Sequence, residues 1–488
     1  MLKHLSLLFF GFSVFAKTYY TSPTGKSTNT GSSFNSAFDL STSLSKVTAG
    51  DTILLQGGTY TIAYVAETKN TITISKSGTG AKNIYIMAQS GASKATLDFS
   101  FPDNTYVQDS YGLDITGSYW YFKNINITRA GYQGAYVKGS YNTFENCAFY
   151  KNRNSGLEIN KGGAYTTVIN CDAYENYDPK KQGSMADGFA SKQTQGAGNT
   201  FTGCRAWNNS DDGWDTFDSD QKVIIRNSWA FSNGVDIWNY GGFTGNGNGF
   251  KVGGNYKVEN NELYNCVAFG NPSKGFDQNN NYGGVIVYNC TSYNNGINYG
   301  FGGTLSSGEK HTFKNNISLG ANADIANATQ SNNTWNSGFT VSSSDFQSLD
   351  LSLAKASRNA DGSIPTTTLF RLKSTSKLID AGVNVGLPYN GSKPDLGAFE
   401  TGSVVTSLDE TSAGSLFEEE NTFTVFPNPS MESFTLKTAQ NSQFQVYNDQ
   451  GILVENITSN SVFGSEYTKG VYLLKESNSG KTLKIVKD

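Results

Sequence analysis

NCAFYKNRNSGLEI, residues 146–159, holds two positions that recur along most of the chain. Its first residue, Asn146, falls in a column with Asn124, Asn170, Gly203, Asn227, Asn265, Asn289 and Asn315. Its glycine, Gly156, falls in a second column with Gly112, Gly134, Gly188, Gly213, Gly249, Gly275 and Gly300, at steps of 22, 22, 32, 25, 36, 26 and 25 residues. An apolar or aromatic residue follows each glycine: Leu113, Ala135, Leu157, Phe189, Trp214, Phe250, Phe276 and Phe301. In a strand, the side chain after that points the other way. Short strands at this spacing, with no helical periodicity between them, predict a parallel β-helix solenoid whose coils stack at about 4.8 Å. The Asn column is expected to stack as an internal amide ladder. The apolar column is expected to fill the core, and the 32- and 36-residue coils to carry insertions in loops on one face.

Composition agrees. The 488 residues include 53 Gly, 27 Tyr and 31 Phe but only 9 Pro, and charged residues make up 16%. Such a chain suits strands and turns. A formal net charge of −4 gives no basic field for nucleic acid or a membrane surface. Residues 1–16 have a short basic start and an apolar stretch ending in Val14-Phe15-Ala16, which reads as a secretory signal. No later segment is apolar enough to span a bilayer, so the mature chain is expected to be exported, without a transmembrane segment, and monomeric. Cys147, Cys171, Cys204, Cys266 and Cys290 mostly follow the Asn column. Their odd number and repeated setting predict buried, unpaired thiols rather than disulfides.

The stretch NNSDDGWDTFDSD (residues 208–220) concentrates five carboxylates in a lightly charged chain. In the repeat register, residues two places after each glycine face outward: Asp114, Tyr136, Glu158, Ala190, Asp215, Lys251, Asp277 and Gly302. Residues just before the glycines form a neighbouring column: Ser155, Asp187, Asp212, Asn248 and Lys274. Asp187, Asp211, Asp212 and Asp215 therefore converge from two adjacent coils, with Lys251 beside Asp215. One such Asp reads equally as an Asx turn at a coil corner. Four together, all oxygen ligands, predict a cation site that suits Ca²⁺. It is not an EF-hand, since the loop glycine and terminal Glu are missing.

ADGFASK (186–192), NNSDDGWD (208–215) and GNGFKVGG (247–254), in that order, resemble polysaccharide lyase family 9, pectate lyases with a right-handed parallel β-helix; SKGFDQNNN (273–281) also fits. TYYTSPTGKSTNTG, AGDTILLQGGTYTI and PDLGAFE resemble the opening and closing segments of secreted β-helix lyases. The resemblance implies Ca²⁺ held by Asp187, Asp211, Asp212 and Asp215, and Lys251 as the base that takes the C5 proton of a uronate. The implied reaction is β-elimination on pectate (polygalacturonate), an acidic polysaccharide. A lysine acts as a base only when neutral, so an alkaline optimum is expected. Insertion residues Trp238, Tyr240 and Phe243 are candidates to stack on sugar rings. Lys180 and Lys181, with Lys274 and Asp277 one coil beyond Lys251, are further substrate-binding candidates. Lys251 also reads as a plain ion pair with Asp215 or Asp277.

Residues 402–420 are rich in Ser, Thr and Glu and read as a linker after a β-helix domain at 17–401. Residues 421–488 alternate as strands (NTFTVFPNPS, FQVYNDQG, GVYLLKE, KTLKIVKD) and resemble the C-terminal sorting domain of type IX secretion, a small β-sandwich. This implies the type IX machinery as a partner and an extracellular or outer-surface location. The predicted class is all-β, a right-handed parallel β-helix solenoid followed by a small C-terminal β-sandwich. Other readings stay open: a lyase on rhamnogalacturonan or a glycosaminoglycan, or a non-catalytic β-helix adhesin that binds carbohydrate. A glycoside hydrolase using Asp211 and Asp212 is disfavoured, because the only mature-chain histidine, His311, lies outside the acidic cluster.

Overall fold

Each turn of the chain lays down three short strands, and each pairs in parallel with its counterpart one turn on. A computed structural model describes residues 16–89 and 94–402 and, towards the C-terminus, 423–426, 430, 432–438, 442–448, 453–476 and 482–487. The predicted signal segment, apart from Ala16, and the predicted linker, apart from Gly402, lie outside these residues. Among the described residues the coils build three parallel sheets. The first runs from Thr18–Thr21 to Ala328–Ser331, the second from Gly58–Thr61 to Ile317–Leu319, and the third from Ile72–Ile74 to Ala323–Ile325. The helix Leu40–Lys46, capped by Asp39 accepting from Thr42 N, packs Leu40 and Leu44 against the core.

The column after the glycines does fill that core. Phe189, Trp214, Phe250, Phe276 and Tyr299 follow one another with ring centroids 5.0, 4.8, 5.0 and 4.9 Å apart. Each such buried ring contributes about 1.5–3 kcal/mol. The outer face of the second sheet is apolar too, through Trp207, Trp229, Phe231 and Phe269. It is covered by a C-terminal wrap carrying Phe346, Leu369, Phe370 and Leu396.

Among the described residues the expected column pairs its amides only at Asn265–Asn227 and Asn315–Asn289, and the continuous amide ladder lies in a different column. Asn124, Asn146, Asn170, Asn227, Asn265, Asn289 and Asn315 all have φ between +48° and +60°, and Gly203 takes their place at +65°. They are left-handed corners between the first and second sheets, where Asn tolerates what other residues resist. The buried ladder is Asn152, Asn176, Asn209, Asn233, Asn271 and Asn295, at the corner between the second and third sheets. Each Nδ2 donates to the next Oδ1, at 3.0, 2.8, 2.9, 3.2 and 2.8 Å. Each Oδ1 after the first also accepts the backbone N–H of the preceding Asn, as in Asn152 N to Asn176 Oδ1 at 3.0 Å.

The glycine column explains itself against this ladder. A Cβ on Gly134, Gly156, Gly188, Gly213, Gly249 or Gly275 would lie 2.6–3.0 Å from the Nδ2 of Asn152, Asn176, Asn209, Asn233, Asn271 or Asn295 respectively. On all but the last of these it would also meet the carbonyl of the glycine one coil on, at 2.5–2.8 Å. The register slips from expectation at the last coil. Phe276 pairs with Tyr299 and Asp277 with Gly300, so Asn298, not Gly300, takes the glycine position, and Gly300, not Gly302, continues the outward column.

The five cysteines are free and buried, as predicted. They form a row in which Cys147 N donates to Cys171 Sγ at 3.4 Å and Cys266 N to Cys290 Sγ at 3.4 Å. The second unit lies within residues 409–488 and has two antiparallel sheets over Phe434, Phe444, Val446, Leu474 and Ile485. Strands Phe423–Phe426, Gln443–Asn448, Gly470–Glu476 and Thr482–Lys487 match the predicted ones, while Phe434–Thr438, Leu453–Thr458 and Val462–Phe463 add to them.

Replacing Asn209 with Ala removes the acceptor of Asn176 N and Asn176 Nδ2 and a donor to Asn233 Oδ1 and Ala173 O, all buried. The expected loss is about 1–3 kcal/mol, read as a lower urea midpoint at unchanged slope. Asn227→Gly, which keeps the left-handed corner, is expected to cost well under 1 kcal/mol.

Candidate active site

The acidic residues sit where the ladder meets the third sheet. Asp211 and Asp212 occupy the closed corner between ladder Asn209 and Gly213. Asp187 precedes Gly188 one coil earlier, and Asp215 follows Trp214 on the strand Trp214–Asp215. That strand pairs Asp215 with Lys251, which in turn pairs with Asp277. The predicted cluster is therefore assembled, but it is not open surface: Asp187 is 0% exposed and Lys251 8%.

Two long insertions produce this burial. Residues 177–187 and 234–248 both leave between a ladder Asn and its glycine and fold towards each other. Thr244 N donates to Gln182 O at 2.9 Å and Ser210 Oγ to Gly183 O at 2.6 Å. Asp211 ties them down: its oxygens accept Met185 N at 2.7 Å and Asn246 N at 2.6 Å.

Asp187, Asp212 and Asp215 each offer one carboxylate oxygen, and the three atoms lie within 4.8 Å of one another. Asp187 Oδ2 accepts Ser155 Oγ at 3.0 Å, and Asp212 Oδ1 accepts both Asn248 N and Asn248 Nδ2, at 2.9 and 2.8 Å. Asp212 Oδ2 is buried and receives no well-directed hydrogen bond, only the Lys251 ammonium at 3.2 Å. Lys251 Nζ also lies 3.4 Å from Asp215 Oδ1. A buried oxygen left short of donors, with two further carboxylate oxygens within reach, fits a hard divalent cation. Asp211 stands beside the three, with lone pairs beyond those its two amides use.

A second lysine belongs to the cluster; the repeat register brings it near the patch but does not give its ion pairs. Lys192 turns back from the end of its strand so that Nζ lies 2.9 Å from Asp187 Oδ2 and 3.1 Å from Asp215 Oδ2. Its signal in the sequence is only that it ends ADGFASK.

The charges polarise one another. Burial, with the neighbouring carboxylates, pushes Asp187 up to about 7 and raises Asp211 and Asp212. Asp215 is the exception: burial acts to raise it, but Lys251 and Lys192 together bring it below the ordinary value. Lys251 is held well above the usual lysine range. Burial opposes this, and Asp215, Asp212, Asp187 and Asp211 overcome it.

Among the described residues, the remaining candidates form no ion pair with the cluster's residues, although Asp277 is the strand neighbour of Lys251. Lys274 pairs with Asp277 at 2.7 Å. Trp238 and Tyr240 pack their rings on Tyr177 at 4.9 and 5.2 Å and, with Lys151 and Arg153, line a cavity of about 180 Å³. Lys180 lies over the Tyr106 ring at 5.5 Å, and the Lys181 side chain is exposed. His311 is buried, accepts Val285 N on Nδ1 at 3.1 Å and is pushed down to about 4 by burial.

Behind the site, Glu259 accepts Ser219 N at 2.9 Å and Thr216 Oγ1 at 3.0 Å, and burial pushes it up to about 8. The folded chain holds this proton up to about pH 8, while an unfolded glutamate releases it near 4.5. The contribution is thus present below about 4.5 and lost as pH rises towards 8. Melting across that range should show Glu259→Gln gaining on the wild type as pH rises. A constant difference would count against this assignment.

Comparison with known proteins converges on the same region. A family profile described as "Pel9A-like, right handed beta helix region" matches residues 19–316, and one for a secretion system C-terminal sorting domain matches 424–488. Pectate lyase L of Dickeya dadantii (strain 3937) is 60% identical over 385 residues, 79% of this chain and 90% of that protein. The crystal structure of pectate lyase Pel9A is 59% identical and superposes with a TM-score of 0.78, covering 80% of this chain and 97% of that one. A rhamnogalacturonan lyase is 27% identical with a TM-score of 0.64, covering 74% and 97%. The chain belongs to the Pel9A-like right-handed β-helix family and is an enzyme of its lyase class, with a secretion-system sorting domain at its C-terminal end.

Proposed function

We propose that the enzyme is a calcium-dependent pectate lyase that cleaves polygalacturonate by β-elimination, with Lys251 as the base. The observation that carries this is the placing of Lys251 Nζ between Asp212 and Asp215, at 3.2 and 3.4 Å, on the outward face of the third sheet. Asp187, Asp211, Asp212 and Asp215 would hold Ca²⁺. When bound, the ion neutralises the substrate carboxylate and so acidifies the neighbouring C5 proton. Lys251 takes that proton, the electron pair forms the C4–C5 double bond, and the glycosidic oxygen at C4 leaves.

Lys251 needs to be neutral for this, yet four carboxylates hold it protonated. Positive charge shared among those carboxylates removes part of their hold and brings the lysine towards its working form. Lys192 already supplies some of it through Asp187 and Asp215. Rhamnogalacturonan is the second substrate to try, on the strength of the 27% identical lyase, but the 60% identical relatives favour pectate. The sorting domain marks the chain for type IX secretion, placing the enzyme outside the cell. Among the described residues, no helix is long and apolar enough to cross a membrane.

Lys251→Arg keeps the charge but stays protonated, and Lys251→Ala removes the base. Both are expected to lose about 10²–10⁴-fold or more in kcat on polygalacturonate, read as ultraviolet absorbance of the unsaturated product. Substantial turnover by Lys251→Ala at alkaline pH would shift the role to Lys192. The wild-type rate is expected to rise with pH and to collapse in excess chelator. Full activity in chelator would remove calcium from the mechanism.

A further inference from the structure

Arg371 lies away from the acidic cluster, in the C-terminal wrap over the second sheet. Its guanidinium stacks on Phe399, 4.3 Å from the ring centroid, and among the described residues no Asp or Glu pairs with it. Burial lowers its pKa, and no neighbouring anion offsets this. Arg205 and Arg358 share Asp172 at 2.9 and 2.6 Å and Arg153 reaches Asp103 at 3.1 Å, while Arg226, like Arg371, rests on an aromatic ring, that of Tyr264 at 4.5 Å. Arg371 is half-buried, so its guanidinium donors stay open to an incoming anion.

Arg371 and Phe399 line a cavity of about 180 Å³ with Trp229, Pro365, Asn227 and Asn265. Asn265 Nδ2 donates to Asn227 Oδ1 at 3.1 Å, leaving Asn227 an amide donor and Asn265 a carbonyl acceptor for another group. A planar cation with a fork of donors, an apolar wall and two amides make up the chemistry that recognises a carboxylate on a ring with hydroxyls. The volume suits a single sugar unit rather than a length of polymer.

We propose that this cavity is a second, non-catalytic site for a uronate unit, with the carboxylate on Arg371 and the sugar ring against Trp229, Pro365 and Phe399. The choice of galacturonate rests on the pectate reading above; the carboxylate requirement rests on Arg371 alone. Such a site would hold a chain end or a released product on a different edge of the solenoid from the one that cuts.

Monomeric D-galacturonate has no glycosidic bond to cleave, so it tests binding without turnover. Titrated by calorimetry and ligand-observed NMR into the full chain, it is expected to bind the wild type. Arg371→Met should weaken this at least tenfold, and Arg371→Lys, which keeps the charge but loses the fork, by less. D-galactose is expected not to bind, and acetate to bind more weakly than galacturonate. Both variants should keep the wild-type melting temperature and cleave polygalacturonate at the wild-type rate. Coincident isotherms for the wild type and Arg371→Met, or equal binding of galactose, would overturn the site. Acetate binding as tightly as galacturonate would overturn its sugar component. Arg371-dependent galacturonate binding by a chain that cleaves no polygalacturonate would uphold the site and count only against the pectate assignment.

Discussion

The fold depends on one close approach: a carboxamide at each corner lies close to where the Cβ of the glycine position one coil earlier would be. Gly213, for example, has Asn233 Nδ2 at 2.9 Å and the Gly249 carbonyl at 2.5 Å from that point. Any larger residue would push the corner open. In return, Asn176, Asn209, Asn233 and Asn271 use their full hydrogen-bonding capacity inside the solenoid. Asn209 Nδ2 donates to Asn233 Oδ1 and to Ala173 O, while its Oδ1 accepts Asn176 N and Asn176 Nδ2. Aromatic stacking adds stability, but this lock sets the pitch and brings successive strands of the third sheet into register.

The acidic cluster is a product of that register. Asp187, Asp212 and Asn248 all sit immediately before a locked glycine, and Asp215 and Lys251 two residues after one. Backbone pairing alone brings them together, with no long flexible side chain needed to close a gap. The cluster is held at high electrostatic tension, because four carboxylates face only two lysines. Asp215, which touches both, is the most easily ionised, and Asp212, whose Oδ2 meets Lys251 alone, is strongly raised. A preorganised imbalance of this kind stabilises charge that arrives with a ligand.

Much of this could be read in the sequence, for steric reasons. A glycine required by contact cannot be replaced, so the column survives coil lengths from 22 to 36 residues and betrays the period. The outward residues two places on follow by alternation, which is why Asp215, Lys251 and Asp277 were placed correctly. The ladder was assigned to the wrong column because two sets of Asn recur for different reasons, one for left-handed backbone and one for a buried amide. The distinguishing signal was the spacing N-x-x-x-G in NRNSG, NSDDG and NPSKG. The last coil departs from the expected register because Gly300-Phe301 imitates the pattern, while Asn298 and Tyr299 hold the positions. The ion pairs of Lys192, a residue the register does bring near the patch, depend on a side chain turning back, and the grip of Asp211 on two loop amides depends on insertions meeting in space. Neither leaves a periodic trace.

The two long insertions enter between a ladder Asn and its glycine. That interval holds three residues in the coil of Asp211 and fifteen in the coil of Lys251, yet the carboxamides on either side keep the same step. Each corner is thus a port fixed at both ends and free in between. Architecture and specificity are written in separate alphabets: the posts carry pitch and stability, and whatever is threaded through the ports becomes the wall of the site. A lineage can change what its enzyme grips by lengthening or trimming these segments without disturbing the positions that hold the reacting groups.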